Sequence, residues 1–162
     1  MKDYQEPGGG GECEERKTLQ ALLRALFSLE RFAVLATQGH GQPYTHLVAF
    51  AAEEDLNCLL FVTPRATRKF ANLSENPRVA MMIDNRKNEV SDVHDAVAVT
   101  AVGMAEEVQG GRRKDLLKRY LSRHPFMETF AKSPSCALVR VSVQKYDIVR
   151  KFQNVVELRV FS

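Results

Sequence analysis

Alternation of apolar and polar residues with a period of two dominates the chain after residue 31. This period is typical of strands that bury one side and expose the other. The predicted strands are Phe32–Thr37, Pro43–Ala52, Cys58–Val62, Val79–Ile83, Ala96–Glu107 and Cys136–Val143, with an extended closing segment at Tyr146–Phe161. Two consecutive hairpins at the start of this series indicate an antiparallel meander, which in a chain of 162 residues often closes into a barrel.

A helical period replaces this alternation in four places. The predicted helices are an amphipathic one from Glu14 to Phe27, a short one after Thr67, a basic one covering Leu116–Leu121 and a short one at Phe126–Lys132. Glycines crowd the segment before the first helix, so residues 1–13 are predicted to be a flexible tail and residues 14–162 a single domain. The predicted fold class is mainly β (α+β), an antiparallel β-barrel with peripheral helices.

The stretch Leu59–Val79 is the first candidate for chemistry. Pro64 ends its strand, because proline cannot donate to a sheet ladder, and Thr67 offers a hydroxyl cap to the helix that follows. Arg68 and Lys69 then stand at a helix N-terminus, where backbone N–H groups are unpaired and the helix dipole is positive. Cations and hydroxyls in this position suit a phosphate dianion. A solvated basic turn is equally compatible with the spacing.

Composition and charge narrow the classes of protein. The net charge of +3 is too small to indicate a nucleic-acid partner by itself. The three cysteines are far apart and form no CxxC pair, which argues against a disulfide framework and a zinc site and fits a reducing compartment. No apolar run approaches the ~20 residues needed to cross a bilayer, and a hydrophobic signal core is missing. We therefore expect a soluble cytoplasmic protein with no membrane partner.

Several segments, taken in their order along the chain, resemble the FMN-binding split-barrel proteins of the pyridoxamine 5′-phosphate oxidase superfamily. Phe61–Thr63 followed by Thr67–Lys69 resembles the superfamily's phosphate-binding segment. Met82–Arg86, Ala98–Gly103 and Val149–Gln153 resemble its branch of small flavin-nucleotide-binding proteins. The resemblance covers the chain from roughly Leu26 onward and implies a split β-barrel that binds FMN in a groove between two subunits.

The resemblance also implies cofactor contacts, and an isoalloxazine needs an apolar floor with a few well-placed donors. The expected contacts are Thr45, His46, Leu47 and Val48 along the ring, Val62 and Thr63 at its edge and the ribityl chain, Thr67, Arg68 and Lys69 at the phosphate, Asn85 at a ring oxygen, Arg86 near the flavin N1 or the phosphate, and Phe152 with Gln153 from the closing segment. A surface turn remains an alternative for Asn85 and Arg86, a core position for Phe152, and an ordinary sheet position for His46.

The chain departs from the vitamin-processing oxidases of this superfamily in two places. Phe50 stands where those enzymes carry a lysine for the substrate phosphate, and the terminal segment Glu157–Ser162 lacks their Arg-x-His pair. Oxidation of vitamin B6 is therefore not the predicted function. We predict a flavin-dependent oxidoreductase of unknown substrate, with a nicotinamide or another electron donor as its partner and with no assigned catalytic residue.

Two other function classes remain open. The chain is alternatively a non-enzymatic carrier or sensor of flavin, deazaflavin or haem. An OB-like barrel that binds nucleic acid through the basic segment Arg112–Arg123 would need a row of exposed aromatic residues, and the sequence shows no such row. The histidines show no metal-ligand spacing, so no metal site is predicted. Apolar strand surface in Tyr44–Phe50 and Val155–Phe161 is expected to pair two copies into a homodimer.

Overall fold

The computed structural model describes residues 10–152 and 154–160, and these residues form a barrel with helices around it. The helices are α1 (Gly10–Leu29), α2 (Arg68–Glu75), α3 (Asp92–Asp95), α4 (Arg112–Arg123) and α5 (Glu128–Lys132), with a 3₁₀ turn at Pro125–Met127 before α5. The strands are β1 (Phe32–Gly39), β2 (Gln42–Ala52), β3 (Cys58–Pro64), β4 (Arg78–Asp84), β5 (Val97–Glu107), β6 (Cys136–Arg150) and β7 (Asn154–Arg159).

The strands follow the order β3-β2-β1-β4-β5-β6-β7, and all neighbours are antiparallel. A further antiparallel pairing of β3 with β6 closes the first six strands into a barrel and leaves β7 as an extra strand beside β6. The predicted fold class, a split β-barrel with peripheral helices, is therefore confirmed.

Two hydrophobic cores result from the alternation along these strands. The barrel interior is filled by one side of each strand, including Leu35, Phe50 and Met81, and α1 contributes Leu23 and Phe27 to the same cluster. A second core lies between β3, β6 and the pair α4–α5. Because β3 is covered on both faces, its residues form a continuous apolar run rather than an alternating one.

The strands β2 and β3 separate over much of their length, and this separation positions the site. They pair only where Phe50–Ala52 meets Leu59–Phe61. Between Gln42 and Ala49, β2 pairs with β1 and with no other described strand. Strand β3 instead pairs with β6 along its whole length. We call the resulting gap between β2 and the β3–α2 connection the split.

The structure differs from the sequence-based prediction at several places along the chain. Helix α1 begins at Gly10, so the residues from Gly10 to Cys13 belong to it, and the rest of the predicted tail lies outside the described residues. The strand predicted to end at Val143 continues to Arg150, and the predicted extended closing segment is the end of this strand followed by β7. The short helix α3 was not predicted.

The turn between β6 and β7 explains why this hairpin is hard to find in the sequence. Lys151 and Phe152 have positive φ values of 50° and 56°, a conformation usually marked by Gly, Asn or Asp. By contrast, the predicted bend at Gly103 is confirmed, because the β5–β6 register shifts between Val102 and Gly103. A Cβ atom at Gly103 would lie 2.2 Å from the Ser142 carbonyl oxygen, so only glycine fits there.

Candidate functional site

The N-terminus of α2 faces the split and is fixed by Thr67, as the sequence predicts. The Thr67 hydroxyl accepts a hydrogen bond from the Phe70 N–H at 3.4 Å and donates one to the Pro64 carbonyl at 2.8 Å. The first intrahelical bond runs from the Ala71 N–H to the Thr67 carbonyl. The backbone N–H groups of Arg68 and Lys69 precede that bond, so they are free of the helical ladder and available to an anion.

Thr63 and Arg65 support this helix end from behind. The Thr63 hydroxyl lies 3.1 Å from the Thr67 hydroxyl, and Thr63 is only 1% exposed. Arg65 forms an ion pair with Glu107 on β5 and donates to the Pro134 carbonyl at 2.6 Å. The side chains of Thr63 and Arg65 are therefore engaged within the protein. The hydroxyls of Thr63 and Thr67, which the sequence predicts near a phosphate, hold the loop before α2 in place.

The charged side chains at this helix end lie over one face of β2. The Arg68 guanidinium carbon is 4.8 Å from the centre of the Tyr44 ring, within cation–π range. His46 follows on the same face of the strand, and its Nε2 lies 3.0 Å from the Thr37 hydroxyl on β1. The amide of Asn72, one turn after Arg68, donates to the same hydroxyl at 2.9 Å. We call Thr63, Thr67, Arg68 and Lys69, which surround the helix end where the sequence predicts a phosphate, the phosphate cradle.

Strand β2 also presents a free backbone edge to the split, and its other face carries an exposed apolar side chain. The Phe50 N–H donates to the Arg31 carbonyl across the β1 side, so by alternation the N–H and C=O groups of Thr45 and Leu47 point toward the split. Thr45 is exposed and Leu47 is 70% exposed. Val48 points into the barrel core and is 5% exposed, so its side chain does not face the split.

A second group of predicted residues lies at the far end of β4. Arg86 and Phe152 line one cavity of about 320 Å³, whose other walls include Met82, Ala98 and Val149. The Arg86 guanidinium pairs with Asp84 at 3.1 Å, and Phe152 is 69% exposed. The structure therefore brings Arg86 and Phe152 together, in a place separate from the phosphate cradle.

The remaining predicted residues have other positions. The Asn85 side chain accepts from the Val97 N–H at 2.7 Å and holds the end of β4 against β5. Val62 is 8% exposed and belongs to the second core beneath α4 and α5, so its side chain cannot line a ligand. Gln153 lies outside the described residues.

Sequence reasoning missed Thr37, Asn72 and the role of Tyr44. Two polar residues, Thr37 and Asn72, are 4% and 6% exposed, and a buried polar pair of this kind requires a hydrogen-bond network. Gly39 gives a further signal, since a Cβ atom there would lie 2.4 Å from the Asn72 Oδ1. The sequence shows these residues only as parts of a strand and a short helix, so their convergence depends on the fold.

Metal sites and membrane-spanning helices are the other features to which the structure speaks. Among residues 10–152 and 154–160, no group of three His, Cys, Asp or Glu side chains is placed to hold a metal ion. In the same part of the chain, no helix is both long enough and apolar enough to span a bilayer.

Comparison with solved structures finds the same fold in proteins of low sequence identity. A haem-binding protein from Mycobacterium smegmatis has a TM-score of 0.74 at 17% identity over 96% of this chain, which spans 60% of that protein. A FAD-binding protein from Mesorhizobium loti has a TM-score of 0.63 at 16% identity, covering 79% of this chain and 90% of that one. General Stress Protein 26 from Bacillus anthracis has a TM-score of 0.63 at 20% identity, covering 88% of this chain and 98% of that one.

The family comparison is more specific than these structural likenesses. No curated protein matches the chain. The family model described as pyridoxamine 5′-phosphate oxidase matches residues 19–150, a range that begins in α1 and includes the whole barrel, β1 to β6. The chain therefore belongs to the pyridoxamine 5′-phosphate oxidase family.

Proposed function

We propose that this protein binds FMN in the split, with the phosphate at the phosphate cradle and the ring along β2. The observation that carries the proposal is the position of the α2 N-terminus. Its capped end presents free backbone N–H groups together with Arg68 and Lys69, beside the free edge of β2. An anion at a helix N-terminus is stabilised by both the N–H groups and the dipole.

The free edge of β2 fits the other half of the molecule. Thr45 and Leu47 offer backbone donors and acceptors toward the split, which the pyrimidine edge of an isoalloxazine can use. The exposed Leu47 side chain supplies apolar contact. A flat amphipathic ring needs both kinds of contact. Phe50 is only 1% exposed in the barrel core, so it offers no group to a second phosphate. The residues present therefore fit a flavin nucleotide and do not provide the substrate-phosphate lysine of vitamin-processing oxidases.

A second copy of the chain would complete this site. On the outer face of the barrel, Leu47, Val34, Met82 and Thr100 form a continuous cross-strand row, and Leu47 and Phe32 are 70% and 58% exposed. We propose that this face pairs two copies and that the cavity around Arg86 and Phe152 of one copy meets the flavin held by the other. A cation at Arg86 would then act on the electronics of the ring.

The reaction class follows from the cofactor. A bound flavin would supply hydride or electron exchange, and the phosphate cradle and the free edge of β2 would hold and orient it. We propose a flavin-dependent oxidoreductase of unknown substrate. Bleaching of the bound flavin by NADH or NADPH would support this activity, whereas a flavin that no donor reduces would indicate a carrier or sensor.

Haem is the second cofactor to consider, because a haem-binding protein shares the fold. An axial histidine must have a free ring nitrogen aimed at the iron. The Nε2 atoms of His46 and His124 are already engaged, with the Thr37 hydroxyl and with the Phe50 carbonyl at 2.7 Å. A haem propionate could also meet the cations of the phosphate cradle, so the engaged Nε2 atoms are the observation that favours a flavin nucleotide over haem.

The test of the proposal removes the two cations of the phosphate cradle. A charge-assisted hydrogen bond contributes about 1.5–3 kcal/mol, so Arg68→Ala with Lys69→Ala should weaken FMN binding by roughly two to four orders of magnitude. The matched control is Arg112→Ala with Lys114→Ala, which removes the same charge from exposed positions of α4. Isothermal titration with FMN measures both. Equal affinity of the two double variants would contradict the proposed phosphate site.

A further inference from the structure

The environment of His46 has a consequence for how the phosphate cradle responds to an anion. His46 is half-buried on β2, on the strand face that also carries Tyr44. Arg68 lies over Tyr44, and Asn72 from the same face of α2 reaches the Thr37 hydroxyl that His46 also contacts. The imidazole is therefore linked through one shared hydroxyl to the helix whose N-terminus forms the cradle.

One arrangement of the hydrogen bonds in this network keeps His46 neutral. The Asn72 Nδ2 can only donate, so the Thr37 oxygen accepts from it at 2.9 Å. The Thr37 hydroxyl hydrogen is then free to point at the His46 Nε2, 3.0 Å away. In this arrangement Nε2 is an acceptor and His46 is neutral, with its hydrogen on Nδ1. Protonation at Nε2 would force the 4% exposed Thr37 hydroxyl to turn its hydrogen elsewhere.

The charges that face His46 act in the same direction. Burial, and then the positive charges of Lys69 and Arg68, lower the pKa of His46 below its ordinary value. The neighbours on β1 and β2, Thr37 and Tyr44, bring no charge near neutral pH, and the His40–Glu75 pair lies at the exposed end of this hairpin. An anion that neutralises Arg68 and Lys69 would remove the charge repulsion that adds to the effect of burial, and the pKa of His46 would rise.

We propose that binding of a phosphate monoester at the cradle is coupled to uptake of one proton by His46. This inference rests on the proposed function and adds a regulatory property to the same site. Because the coupling is reciprocal, a protonated His46 strengthens phosphate binding by the same factor by which the phosphate strengthens proton binding. Flavin without a phosphate, such as riboflavin, should not produce this coupling.

The first measurement is an NMR titration of the histidine ring protons in the wild-type protein. The titration midpoint of His46 should be higher with FMN bound than with riboflavin bound, because both ligands cover β2 with the same ring and only FMN brings the anion to Arg68 and Lys69. A His46 midpoint that is the same with FMN and riboflavin overturns the coupling. This measurement needs no variant, so it tests the coupling even if a substitution at His46 prevents folding.

The second measurement compares the wild type with His46→Gln, whose amide oxygen can accept from the Thr37 hydroxyl but does not titrate. The ionisation of the FMN phosphate itself is common to both proteins and cancels in the ratio of their Kd values. That ratio should grow in favour of the wild type as pH falls from 7.5 to 5.5, by at most about tenfold per pH unit for one proton. If the Kd values of the two proteins change in parallel with pH while FMN still binds more tightly than riboflavin, the coupling is wrong and the phosphate site stands. Equal binding of FMN and riboflavin by the wild type at every pH overturns the phosphate site, and the coupling falls with it.

Discussion

At the scale of single residues, the site depends on side chains that hold others in place. Thr67 is the clearest example, because its hydroxyl contacts the Phe70 N–H, the Pro64 carbonyl and the Thr63 hydroxyl at once. These contacts leave it no hydrogen to donate to a phosphate. Its contribution to the proposed phosphate binding is to fix the position of the helix N-terminus, where Arg68 and Lys69 also lie.

Thr67→Val should separate these roles, since it keeps the shape and removes the hydroxyl. Losing an N-cap costs about 0.5–2 kcal/mol of stability, and we expect the urea midpoint to fall accordingly and FMN binding to weaken in the folded protein. Thr67→Ser is the matched control, because it retains the hydroxyl. A valine variant as stable as the serine variant would show that the cap has no energetic importance.

The residues of the cradle were accessible to sequence reasoning, while the contacts among their supporting partners were not. Thr67 before Arg68 and Lys69 is a local pattern of cap and cation, so it can be read directly from neighbouring positions. The partners Thr37, His46 and Asn72 come from three elements and are up to 35 positions apart. Their contact depends on the β1–β2 register and on the docking of α2, neither of which the sequence specifies locally.

At the scale of elements, period and turn chemistry decided which predictions succeeded. The strand alternation predicted β1 to β5 to within a few residues, and the glycine at position 103 predicted the bend in β5. The β6–β7 hairpin was missed because Lys151 and Phe152 adopt positive φ values without the usual turn residues. The family resemblance placed Val62 at the ligand, whereas β3 is covered on both faces and the Val62 side chain packs in the second core.

The structure shows which residues of the predicted interface segments are exposed. Within Tyr44–Phe50, the residues Tyr44, Val48 and Phe50 share the inward side of β2. The exposed apolar side chains of this segment and of β7 are Leu47 and Val155, at 70% and 64%. Phe161 lies outside the described residues. The surface available for pairing is therefore the outer face that contains Leu47, Val34 and Met82.

At the scale of the whole molecule, we predict a homodimer of the 18.3 kDa chain, with an interface of about 2,000 Å² or more. Leu47→Arg places a charge at the centre of the proposed interface and should produce a monomer. Leu29→Arg is the control, because Leu29 is similarly exposed, at 75%, but lies at the end of α1. Sedimentation over a dilution series distinguishes them. A wild-type monomer that retains FMN stoichiometrically at nanomolar concentration would contradict the shared site.

The central claim is that the α2 N-terminus recognises the phosphate of a flavin nucleotide, and the most direct measurement is titration of the wild-type protein with FMN and with riboflavin. The two ligands share the ring and the ribityl chain and differ only in the phosphate. With two charge-assisted contacts at about 1.5–3 kcal/mol each, FMN should bind roughly two to four orders of magnitude more tightly. Equal affinity for FMN and riboflavin would show that the cradle holds no phosphate and would contradict the account.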